Sequence, residues 1–143
     1  MKAKTLPTIL SAILITLFLY TALSKLLDFE QFRKQMSNQN IPKWSAGLLA
    51  WGIVSSEIMA VILLATEKYR LWGLYTSALL MVVFSGYMVL VLLDFFDRVP
   101  CSCGGVLNSM NFGAHLLFNL AFLTITILAI ALTRKSQQHR ARV

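Results

Sequence analysis

The amino-acid sequence predicts an all-α integral membrane protein, a four-helix transmembrane bundle with almost nothing left over for a soluble part. Three observations lead there. Of the 143 residues, 57% are hydrophobic and only 13% charged, with a mean hydropathy of +0.69, whereas a soluble domain carries about 25% charged residues. Positions 5–24 and 71–93 contain no charged side chain, and each run reaches the roughly 20 residues that span a hydrocarbon core. Two further stretches, 45–65 and 114–132, are nearly as apolar, the first interrupted by Glu57 and the second by His115 and Asn119.

Taken in order, the first span follows Lys2 and Lys4 and ends at Ala22-Leu23-Ser24, which loosely resembles a cleavage site. The apolar stretch is longer than the roughly 7–15 residues of a signal-peptide core, so it reads as a retained helix. The connection from Lys25 to Lys43 carries Phe29, Phe32 and Met36 at helical spacing among charged residues. That pattern predicts a short amphipathic helix lying on the outer surface, with docking of a partner as the alternative. Ser37 to Asn40 and Pro42 end it. The second and third spans begin beside Trp44 and Trp72, where indole rings favour the headgroup region, while Trp51 lies deeper and reads as a packing residue. Asp94 and Arg98, spaced i, i+4, close the third span at the interface. The chain reads as a single domain, without linker, repeat or low-complexity segment.

Four spans place both termini on one side. Lys2, Lys4, Lys68, Arg70, Arg134, Lys135, Arg140 and Arg142 fall on that side; Lys25, Arg33, Lys34, Lys43 and Arg98 fall opposite, diluted by Asp28, Glu30, Asp94 and Asp97. The positive-inside rule therefore predicts N-in, C-in. The net charge of +7 is explained by orientation and anionic lipid. It is split among ends and loops and forms no patch that would track a nucleic acid backbone.

The only cysteines, Cys101 and Cys103, fall in one three-residue window, Cys101-Ser-Cys103, between helix-breaking Pro100 and Gly104-Gly105. In the N-in arrangement this turn faces outward, into a compartment that permits disulfides if the membrane is a bacterial inner membrane. A disulfide across one intervening residue closes too short a loop to act as a staple, and its strain favours exchange. Redox exchange is the favoured reading; a soft-metal site for copper(I) or zinc and an inert turn are the alternatives. His115 stands in a polar stripe with Asn111, Asn119 and Thr126. Such a stripe can bond neighbouring helices, or His115 can accept a thiol proton beside the cysteine turn.

Glu57, entered from Ser45, lies about 18 Å along its helix and close to the midplane, where an ionised carboxylate is costly. It must be protonated, paired or turned inward, and Ser55 and Ser56 suggest a polar patch around it. It could relay protons, bind a quinone head group or bond a neighbouring helix. Lys25, at the outer end of the first span, is expected to be out of easy reach of Glu57 and better placed to lower a thiol pKa. No Gly-rich phosphate loop, His-Glu-x-x-His motif or serine-nucleophile setting occurs, which argues against nucleotide hydrolysis and hydrolytic catalysis.

The stretch from Tyr20 to Phe32, with Lys25-Leu26 and Asp28, resembles the corresponding stretch of DoxX-like proteins. Glu57 and the Cys101 to Gly105 turn resemble the methylamine-utilisation MauE branch, over nearly the whole chain. The resemblance implies a four-helix membrane protein associated with redox maturation, since that branch is linked to production of the disulfide-rich small subunit of a periplasmic amine dehydrogenase. Carried over by position, Cys101 and Cys103 would be the reactive pair, with Lys25 and Glu57 as the other matching positions.

The leading expectation is thus thiol–disulfide exchange at the outer face of an inner (cytoplasmic) membrane, serving an exported or membrane partner protein. With one cysteine pair, either a quinone contacts the turn directly, with Glu57 or His115 managing protons, or another protein reoxidises it. The rivals are a non-catalytic scaffold or assembly subunit, and a small-solute or metal transporter using Glu57.

Overall fold

A computed structural model of the chain describes residues 2–38, 42–93, 95 and 112–141. All regular structure among them is helical: α1 (Lys2–Leu27), α2 (Phe29–Ser37), a 3-10 turn (Lys43–Ser45) leading into α3 (Ala46–Ala65), α4 (Arg70–Leu92) and α5 (Phe112–Ala141). Among the described residues, four segments are long and apolar enough to cross a membrane: Thr5–Leu27, Lys43–Ala65, Arg70–Leu92 and Gly113–Gln138. These are the four expected spans. The helices run on past the expected ends, α1 through Lys25 and α5 through Arg134 and Lys135. A change from apolar to charged residues in the sequence does not by itself end a helix, and at the end of α5 long basic side chains can reach for water from beyond the span.

The spanning helices form a ring in which α1 and α4 each pack against both α3 and α5. Leu14, Phe18, Ala60, Leu64, Leu74, Met81 and Ala129 meet at its centre. The exterior is apolar: Leu48, Ile62, Leu79 and Leu117 are exposed, while Ser11, Ser77 and Thr126 are buried. A protein in water inverts that arrangement; lipid as solvent requires it. The hydroxyls are satisfied within their own helices, as Ser11 Oγ donating to the Pro7 carbonyl at 2.8 Å and Ser77 Oγ to the Gly73 carbonyl at 2.8 Å. In a medium without water a hydroxyl has few other acceptors. At the opposite end from the α1–α2 corner, Arg70 donates to Thr8 Oγ1 at 3.2 Å, tying the α3–α4 turn to the start of α1.

The buried face of α3 is a stripe of mostly small residues, Ala46, Ala50, Val54 and Ala60, with Glu57 among them. Small side chains let another helix approach closely, and α2 uses the first half of the stripe. Phe32 and Met36 are buried against Ala46, Ala50 and Val54, and Phe29 meets the ring of Trp51 at 4.5 Å between centroids. The amphipathic helix expected on the outer surface is therefore formed, but its apolar face covers the chain's own α3. That corrects the surface-lying reading. The face matches a groove already present, and burial there removes the same apolar area that a bilayer surface would. Trp44 and Trp72 remain exposed at the starts of their spans.

Candidate functional site

The α2 corner has a consequence for α1 and α3. α2 lies along the first turns of α3, and the last turn of α1 meets the middle of α3. There Lys25 Nζ donates to Glu57 Oε1 at 2.6 Å. Both residues are buried, Lys25 at 8% exposure and Glu57 at 2%. The expectation that Lys25 stood too far above Glu57 is thus overturned. It assumed that the first and second spans end at one level, which the α2 corner prevents. The expected serine patch is corrected too: Ser55 is exposed and Ser56 Oγ donates to the Ile53 carbonyl at 2.8 Å. Lysine supplies the partner. A buried carboxylate in hydrocarbon needs a full counter-charge more than it needs neutral hydroxyls.

Phe32 of α2 closes over the ammonium, whose nitrogen lies 5.8 Å from the ring centroid. The ion pair sits in the wall of a cavity of about 220 Å³ among the five helices. α1 contributes Phe18 and Thr21, α4 contributes Met81, Phe84, Tyr87 and Met88, and α5 contributes His115, Phe118 and Asn119. His115 is buried and Asn119 half-buried. The cavity thus gathers a carboxylate, an ammonium, an imidazole and a carboxamide within otherwise apolar and aromatic walls.

Residues 3–132 match the family model described as Methylamine utilisation protein MauE. The chain belongs to the MauE family. No curated protein and no solved structure matches it.

In this MauE chain the candidate residues read from sequence fall into two groups. Lys25, Glu57 and His115 are brought to one cavity although they come from three helices. Cys101 and Cys103 lie outside the described residues, as do Asn111, Asp94 and Arg98. The polar stripe of α5 divides as well. Thr126 Oγ1 donates to the Phe122 carbonyl at 2.8 Å and lies 3.9 Å from Met81 Sδ, so it serves packing, whereas His115 and Asn119 face the cavity. Sequence reasoning missed the aromatic and thioether wall of α4. Met81, Phe84 and Met88 follow helical spacing, but nearly every neighbour is apolar too, so the spacing gives no signal of which face turns inward.

Proposed function

We propose that this MauE chain is a multi-pass protein of a bacterial inner membrane, with both termini in the cytoplasm. In this reading the outward-facing Cys101-Ser-Cys103 turn takes part in thiol–disulfide exchange during maturation of an exported partner protein. One observation carries the reading. The whole cysteine content falls in a window bounded by helix breakers, in the stretch of sequence between α4 and α5, the latter carrying His115 in its first turn. Membership of the MauE family agrees with it.

In the exchange, a thiolate of the partner attacks one sulfur of the oxidised pair, forming a mixed disulfide and releasing the other sulfur as thiolate. A second partner thiol gives up its proton and displaces the first sulfur, leaving a disulfide in the partner and two thiols in the turn. Two electrons and two protons pass from partner to pair. His115, in the first turn of α5, is the candidate base for a thiol proton.

Alkylation mass shifts in intact cells should find the pair partly oxidised, and a Cys103→Ser variant should trap a mixed disulfide with an exported protein. A pair that is always reduced and captures nothing overturns the exchange. If the Cys101→Ser, Cys103→Ser double variant also supports full maturation, the chain acts instead as an assembly subunit without thiol chemistry.

A further inference from the structure

The cavity beside the ion pair contains chemistry that thiol exchange at the turn does not use. Glu57 Oε1 is bonded to Lys25 at 2.6 Å, but Oε2 is buried without a hydrogen-bond partner among the described residues. A buried charged acceptor left unsatisfied is costly, and in the membrane interior water is scarce. Thr21, on the same wall, has its hydroxyl near the Glu57 carboxylate but donates its proton to the Phe18 carbonyl at 3.1 Å. Lys25 carries three N–H donors, and its one hydrogen bond among the described residues is to Glu57. The polar end of the cavity thus offers an acceptor in need of a proton beside donors in need of a lone pair.

Beyond these groups and the polar side chains of His115 and Asn119, the wall is mainly apolar, with Phe18, Phe84, Tyr87, Phe118, Met81 and Met88. Rings and thioethers pack well against the faces and edges of a flat aromatic molecule. A cavity of about 150 Å³ accepts benzene, so about 220 Å³ has room for a six-membered ring with substituents. Tyr20 and Leu49 belong to the wall and are exposed on the outside of the bundle, which leaves a way out toward lipid for an attached tail. A bare acyl chain would fill the space but bring no donor to Oε2. An amine would bring a second cation beside Lys25.

We infer that the cavity binds the ring of a lipid-borne hydroquinone, with one ring O–H donated to Glu57 Oε2. Where thiol exchange operates, the same site completes the electron route. The reduced cysteine pair and the corresponding quinone become a disulfide and a hydroquinone, two electrons and two protons passing from the sulfurs to the ring oxygens. That step rests on the proposed exchange; the binding does not.

The test separates the two by titrating decylubiquinol anaerobically into the full chain, purified in detergent, in the Cys101→Ser, Cys103→Ser background. Its di-O-methyl ether and decylbenzene are titrated alongside. The quinol should bind saturably and about tenfold or more tightly than the ether, which lacks the donor. Glu57→Gln should erase most of that preference. Ser24→Phe, which fills the cavity from α1 while keeping both members of the ion pair, should abolish binding with the melting temperature retained. Equal binding of quinol and ether, or of decylbenzene, would show a pocket for acyl chains only and overturn the proposal, as would absence of saturable binding. Should Glu57→Gln fail to fold, the ether comparison and Ser24→Phe decide the matter.

Discussion

At the scale of single residues, the Lys25–Glu57 pair controls the most energy. Its 2.6 Å contact is buried on both sides, and removing one partner leaves the other charged in an apolar interior, at a cost of about 3–5 kcal/mol. Lys25→Met should therefore lower the melting temperature in detergent sharply. The Lys25→Met, Glu57→Leu double variant should regain most of the loss, because two apolar side chains need no compensation. A single variant that melts with the wild type would mean that the pair contributes nothing. Glu57 was legible in sequence as a residue requiring some partner, since a carboxylate in an apolar span is expensive wherever it points. Its partner was not legible, because reach depends on how far one helix is offset along another.

At the scale of helices, contact distance is set by the smallest side chains. A Cβ added at Gly73 of α4 would meet the Leu64 backbone nitrogen at 2.6 Å and the Leu63 carbonyl carbon at 2.9 Å. Backbone atoms cannot move aside as a side-chain tip can, so Gly73→Ala must push α3 and α4 apart. A loss of about 1–3 kcal/mol is expected, read as a lower melting temperature, with Gly52→Ala as the control because a Cβ there meets nothing within 4 Å. Equal effects at the two glycines would refute the close approach. The amphipathic pattern of α2 was readable from Phe29, Phe32 and Met36, yet the pattern names only which face is apolar. The spanning helices are less informative still. When apolar residues surround a helix completely, as in α4, lipid-facing and core-facing positions look alike.

At the scale of the whole molecule, four spans and the distribution of basic residues govern orientation. Eight of the thirteen lysines and arginines lie on the side of the termini, which favours retention of that side in the cytoplasm. An alkaline phosphatase fused within 94–111 should be active and the same fusion after Val143 inactive; the reverse pattern would put the cysteine turn in the cytosol and remove the proposed exchange. The cavity also belongs to this scale, since all five helices contribute to its wall.

The sequence alone determined the solvent, the number of spans and the approximate ends of each. All three follow from the running cost of burying charge in hydrocarbon, which adds up along the chain without reference to distant residues. It also singled out Glu57 and the cysteine window by their rarity. Only the tertiary structure decided that α2 folds onto α3, that Lys25 thereby descends to Glu57, and that His115 shares their cavity. Those facts arise from the relative offset and rotation of packed helices, and small and large apolar side chains settle them jointly across elements far apart in the chain.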